Sequence, residues 1–222
     1  MVTLCWAAKG GSGTTVVATA LALNSLRPSL LVDLDGEIPA VLGLPEPDRP
    51  GVAEWLASVA SADHLAELLV DIGPRAWLLP WSAATSDLRH ETLMVDHGAR
   101  WATLGDWLHD WSTQRGCAVT IDVGTRVPPE PLTARADRSL LVTRPCYLAL
   151  RRAVRSPCRP TGVILVDEPG RSLGHRDVEH ALGAPVEAIV SVDPSVARAV
   201  DAGLLAGRLP RVMTRALRRA AA

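Results

Sequence analysis

One alternation limits what this chain can fold into more than any other feature. Nearly continuous apolar runs at Val2–Ala7, Ser29–Asp33, Arg75–Trp81, Cys117–Asp122, Ser139–Thr143, Gly162–Val166 and Val186–Val190 predict strands. Helical patterns over Thr14–Leu26, Gly51–Val70 (broken near Ser61), Ala99–Thr113, Cys146–Arg155, Leu173–Leu182, Pro194–Leu205 and Arg211–Ala221 separate or follow them. A strand buried on both faces loses the polar half of its alternation. Such runs joined by helices therefore predict a parallel sheet covered on both sides. The expected fold class is α/β, in three layers, with a mostly parallel central sheet. Gly43–Gly51 and Ser82–Gly98 carry no clear period and are expected to be loops or short helices. With no repeat or low-complexity tract, a single domain over residues 1–222 is expected.

Composition narrows the function classes. A hydrophobic content of 48% with a net charge of −1 argues against disorder. No apolar run approaches the roughly 18 residues of a membrane span. Met1–Gly11 lacks a basic leader before an apolar core, so no secretory signal is expected. Cys5, Cys117, Cys146 and Cys158 have no metal-type spacing and read as reduced, mostly buried thiols of a cytoplasmic protein. None of the six histidines forms a convincing ligand or triad arrangement. The tryptophans (Trp6, Trp55, Trp77, Trp81, Trp101, Trp107 and Trp111) fall in the first half; most are expected in the core, one or two on a partner-facing patch. Residues 1–111 carry a net −8 and residues 112–222 a net +7, so the second half suits an anionic surface or an acidic partner. Of the 23 basic residues, Lys9 is the sole lysine. A lysine that survives such an arginine bias is expected to do something arginine cannot.

Chemistry concentrates in Ala8-Lys9-Gly10-Gly11-Ser12-Gly13-Thr14-Thr15, between the first strand and the first helix. Glycines let backbone amides approach phosphates, and a helix N-terminus adds partial positive charge. The general G-x-x-x-x-G-K-[ST] pattern is not met: Ala8 replaces its first glycine and Thr14 its lysine.

Lys9-Gly10-Gly11-Ser12-Gly13 resembles the deviant Walker A motif of the ParA/MinD ATPases, K-G-G-x-G-K-[ST], and Lys9 fills the signature lysine position. The form with threonine at 14 resembles the TadZ/CpaE branch, which helps localise Tad-type pilus machinery. Leu31–Asp35 is similar to that family's D-x-D, and Ala118–Gly124 to its Walker B and switch segment. Ala136–Thr143 is similar to the strand that follows, and Val192–Val196 with Ala197–Gly203 to the loop near the base and its helix. The resemblance implies a P-loop NTPase fold, ATP and Mg²⁺ as cofactors, and a nucleotide-dependent homodimer. It assigns the phosphates to Lys9, Gly10, Gly11, Ser12, Gly13, Thr14, Thr15 and Gly124, and the base to Asp167, Asp193 and Pro194. Mg²⁺ falls to Thr15, Asp35 and Asp122. Asp35 would position the attacking water beside Asp33, and Lys9 would cross to the partner's phosphates. Each has a plainer reading: a helix N-terminal hydroxyl for Thr15, loop-capping acids for Asp33, Asp35 and Asp122, and an exposed lysine for Lys9.

Two departures weigh on function. The lysine absent at Thr14 removes a charge-assisted contact of about 1.5–3 kcal/mol, and with it a cation that favours phosphoryl transfer. Asp167 stands where the family usually supplies an Asn, and a carboxylate accepts from adenine but donates nothing. The expected function is a nucleotide-responsive positioning or scaffold protein with weak or absent ATPase, serving a secretion or positioning complex. Two alternatives stay open. One is an active partition ATPase binding DNA nonspecifically through Arg151, Arg152, Arg155 and the arginines at 208–219. The other is a nucleotide-free docking subunit. A membrane-surface helix is the weakest reading, because the last helix lacks Trp and Phe.

Overall fold

The computed structural model describes residues 1–45, 47–82 and 98–221. Its strands are β1 (Val2–Trp6), β2 (Ser29–Asp33), β3 (Val70–Gly73), β4 (Ala76–Leu79), β5 (Ala118–Asp122), β6 (Arg138–Thr143), β7 (Gly162–Asp167) and β8 (Val186–Ser191). They form one eight-stranded sheet in the order β3-β4-β2-β5-β1-β6-β7-β8. Every neighbouring pair is parallel except the β3–β4 hairpin. β1, β2 and β5 lie in the middle and are buried along their whole lengths, as their unbroken apolar runs require.

The helices are α1 (Thr14–Leu23), α2 (Ile38–Leu42), α3 (Val52–Leu56), α4 (Gly98–Arg115), α5 (Glu130–Thr133), α6 (Tyr147–Arg155), α7 (His175–Leu182), α8 (Pro194–Asp201) and α9 (Arg211–Leu217). Alternation along β1 sorts them into layers. Leu4 and Trp6 face α3 and α4, packing with Trp55, Trp101, Leu104 and Leu108. Cys5, on the other side, faces α1 and α9, packing with Val17, Leu21, Met213 and Leu217. The result is the expected three-layer α/β fold. Among the described residues, no helix is long and apolar enough to cross a membrane.

Three stretches differ from the expected pattern. Gly51–Val70 is not one broken helix. α3 ends at Leu56, Ala62–Leu68 is a 3₁₀ helix, and Val70 already belongs to β3. Ser58 stops the helix by donating its hydroxyl to the Trp55 carbonyl and accepting the Ala60 amide. β3 then turns back on β4 through Gly73-Pro74-Arg75, a turn signal between two apolar pairs. The other additions are the five-residue α2 and the four-residue α5, both too short to show helical periodicity. The expected loop at Ser82–Gly98 falls mostly on residues 83–97, outside the described residues. Cys5, Cys117 and Cys158 are buried free thiols and Cys146 is half-buried. Trp77 and Trp107 are packed on the buried Trp111, with ring centroids 6.4 and 5.0 Å away, and both are partly buried at the margin of the core.

Candidate functional site

The parallel strands point one way, so their C-terminal ends share one edge of the sheet. Along it, the order β2-β5-β1-β6-β7-β8 sets Asp33, Asp122, the Ala8–Thr15 loop, Arg144, Asp167 and Ser191 side by side. β1 stands at the switch point, with β2 reached on one side and β6 on the other. Ligands of open α/β sheets bind in the crevice at that point.

Glycine shapes the loop there. Gly11 and Gly13 have φ of 75° and 86°, a region other residues avoid. Gly10 has neither a positive φ nor a crowded neighbourhood, since a Cβ there meets nothing within 4 Å. The fold itself does not need glycine at position 10; a ligand that must reach the backbone does. Ser12 donates to the Lys9 carbonyl at 2.8 Å, and both Ser12 and Thr14 are buried. α1 begins at Thr14 with no side-chain cap and no acid in its first turn. Its N-terminal amides and positive dipole end are thus left for an anion. Among the described residues, Lys9 Nζ donates to its neighbour's carbonyl, that of Gly10, at 3.3 Å.

Three carboxylates gather beside the loop. Asp33 is fully buried and accepts the backbone amides of Asp35, Gly36 and Ile38 at 3.0, 2.7 and 3.1 Å. It holds the turn after β2, which is the plainer, loop-capping role. Burial still raises its pKa to about 6 against those amides. Asp122 is also fully buried. Its Oδ1 accepts the Gly124 amide at 3.0 Å, so that amide is already engaged within the turn. Among the described residues, its buried Oδ2 makes no well-formed hydrogen bond, with the Thr15 hydroxyl close enough to act on the carboxylate. Burial and the nearby Asp33 push its pKa up to about 7, while the Thr15 hydroxyl and the Gly124 amide oppose the rise. Asp35 is paired: Arg126 Nη1 donates to its Oδ1 and, at 3.3 Å, to the Leu34 carbonyl. The Asp35 carboxylate lies where a Cβ on Gly124 would be.

This donor set suits Mg²⁺. No three His, Cys, Asp or Glu among the described residues converge on a common point. One unpartnered carboxylate oxygen next to a threonine hydroxyl is what remains, and Mg²⁺ binds through one or two carboxylates plus waters and substrate phosphates. Thr15 and Asp122 are therefore brought together, whereas Asp35 is turned to Arg126. Asp167, Asp193 and Pro194 lie further along the edge. Asp167 ends β7 with its side chain exposed and its carbonyl accepting the Val192 amide at 2.9 Å. Asp193 caps α8 through the Ser195 amide at 2.7 Å, the Ser195 hydroxyl and then that amide hold its pKa down, and Pro194 is the first residue of the helix. The residue that sequence reasoning missed is Arg126. Its signal was a cation two positions after Gly124, next to two strands that end in acids.

No family model matches the sequence, and no curated protein matches it. Solved structures do. A ParA family ATPase from Chlorobium tepidum superposes with a TM-score of 0.74 at 18% identity, covering 99% of this chain and 98% of that one. Apo McdA from Cyanothece gives 0.75 at 16% identity, with 100% and 99% covered. MinD from Pyrococcus horikoshii, solved with Mg-ADP, gives 0.72 at 17%, with 99% and 93% covered. The chain has the ParA/MinD fold. At such identities the likeness is one of architecture, and the chemistry rests on the residues described above.

Proposed function

We propose that this chain is a single-domain, cytoplasmic, nucleotide-responsive positioning protein of the ParA/MinD type that binds ATP·Mg²⁺ and hydrolyses it slowly or not at all. The observation that carries the reading is the buried Asp122 carboxylate, one oxygen of which makes no well-formed hydrogen bond among the described residues, beside Thr15 in the uncapped first turn that follows the glycine loop. Leaving a buried polar atom unpaired is costly, and a hydrated cation would satisfy it. The loop of Gly10, Gly11, Ser12 and Gly13, with the amides of Thr14 and Thr15, would hold the phosphates. Thr15 and Asp122 would hold Mg²⁺, which would offset phosphate charge there. A base would lie further along the sheet edge, towards Asp167, Asp193 and Pro194. Slow turnover follows from two residues. Thr14 offers a hydroxyl where a lysine would stabilise developing charge, and Asp35, the candidate for orienting water, is held by Arg126. The fold is shared with a septum site-determining protein and ParA-type proteins, which favours positioning over metabolic turnover. The TadZ/CpaE-like loop suggests a secretion or pilus assembly as the cargo.

Calorimetric titration with ATP·Mg²⁺ tests the reading. The protein should bind, and Thr14→Lys should bind roughly tenfold tighter, a decade being about 1.4 kcal/mol. Absence of binding in both forms would refute it in favour of a nucleotide-free docking subunit.

A further inference from the structure

We propose that Arg126 is the phosphate-sensing cation of this site, held by Asp35 until a nucleoside triphosphate displaces that carboxylate. The inference rests on the nucleotide-binding reading above. Asp33, Asp35 and Asp122 form a cluster of acids, and an incoming triphosphate adds about four more negative charges. Among the described residues, Arg126 is the cation paired into this cluster. Lys9 reaches only the Gly10 carbonyl, and Thr14 is neutral.

Position supports the role. Arg126 follows Asp122 by four residues, in a turn closed by its own amide to the Val123 carbonyl at 3.4 Å. The same turn is tied to the root of the glycine loop, since the Ala7 amide donates to the Gly124 carbonyl at 2.8 Å. Arg126 and Thr125 share the walls of a cleft of about 310 Å³ with Ala7 and Ala8, immediately before Lys9, and with Arg152 and Arg155 of α6, whereas Arg126 is the one of these arginines paired to Asp35. A guanidinium presents five donors in a planar fork that fits carboxylate and phosphate oxygens equally well. Both anions therefore compete for one group, and the terminal phosphate of a triphosphate competes better than a diphosphate. The exchange would release Asp35 only when that terminal phosphate is present. This links recognition of the triphosphate to freeing the water-orienting carboxylate.

The test measures ATP·Mg²⁺ and ADP·Mg²⁺ affinities by calorimetry. Arg126→Ala should lose about tenfold or more in ATP affinity and much less in ADP affinity, as a charge-assisted hydrogen bond predicts. Arg126→Lys, which keeps a cation at that position, should retain much of the ATP preference that Arg126→Ala loses, a rescue by charge that a purely structural arginine would not show. Asp35→Asn, which removes the competitor and leaves Arg126 in place, should tighten ATP binding several-fold. An unchanged ATP-to-ADP ratio in Arg126→Ala, an Arg126→Lys protein that behaves like Arg126→Ala, or weaker ATP binding in Asp35→Asn would each overturn the proposal. If the unaltered protein bound neither nucleotide, the functional reading itself would fall and take this inference with it.

Discussion

Asp122 and Asp33 are costly residues to bury. Both carry raised pKa values, about 7 and about 6, so between pH 4 and 7 the folded protein holds more protons than the unfolded chain. Stability must then fall as pH rises through that window, by an amount on the order of a few kcal/mol. Well below the unperturbed value of 3.8 both groups are protonated in either state, and this dependence vanishes. Denaturant titrations at pH 5 and pH 8 should show the decline. Asp122→Asn should flatten it and raise stability at pH 8, because it removes an unpaired buried charge. If Asp122→Asn were instead equally destabilising at both pH values, the carboxylate would be structural and not reserved for a cation. The sequence pointed to both acids as strand-end carboxylates. It did not separate their roles, because only the three-dimensional turn shows Asp33 taking three backbone amides while Asp122 keeps an oxygen unpaired.

Among the elements, legibility followed burial and length. The central parallel strands were readable because their apolar runs are unbroken. β3 was not, because its edge position leaves it only half-buried and its residues mimic the end of a helix. α2 and α5 were hidden by shortness. A tertiary contact shows the same limit. Gly43 ends α2 and Gly203 follows α8, with φ of 69° and 63°, and a Cβ on Gly203 comes within 2.9 Å of the Gly43 Cα. Gly203→Ala therefore combines left-handed strain of about 1–2 kcal/mol with backbone overlap. Its melting temperature should fall by about 4–8 °C, from a loss of roughly 2 kcal/mol or more. Gly183→Ala is the control, since φ is 64° there but nothing crowds its Cβ; its loss should be smaller. Equal losses in the two variants would show that the α2–α8 approach is looser than described.

For the whole molecule, the basic second half does not make one continuous surface. Arg151, Arg152 and Arg155 are exposed on α6, which packs through Leu150 and Ala153 on the α4 and α7 side of the sheet. Arg211, Arg215 and Arg218 line a groove between α9 and the edge strand β8, and α9 packs on the opposite side with α1. A duplex that meets one group misses the other. Affinity for random DNA should be weak and fall with salt at a slope of about −0.9 per phosphate contacted. Submicromolar binding at physiological salt, lost when Arg151, Arg152 and Arg155 are neutralised, would favour the partition ATPase.

We also propose, from the resemblance of the Lys9 loop to the deviant Walker A motif, that nucleotide switches the association of this chain through its one lysine. Two triphosphates brought face to face would repel, and Lys9, half-exposed at the loop and bonded among the described residues to its neighbour's carbonyl, would neutralise a partner's phosphates. An arginine has the charge but a wider fork than a tight glycine loop accommodates. Light scattering of the purified protein with and without ATP·Mg²⁺ tests this most directly. The account predicts a monomer that doubles its mass with ATP·Mg²⁺, a change abolished by Lys9→Ala and mostly lost in Lys9→Arg, with the monomer still folded. A mass that is the same with and without nucleotide, or a Lys9→Ala protein that dimerises as well as the original, would contradict it.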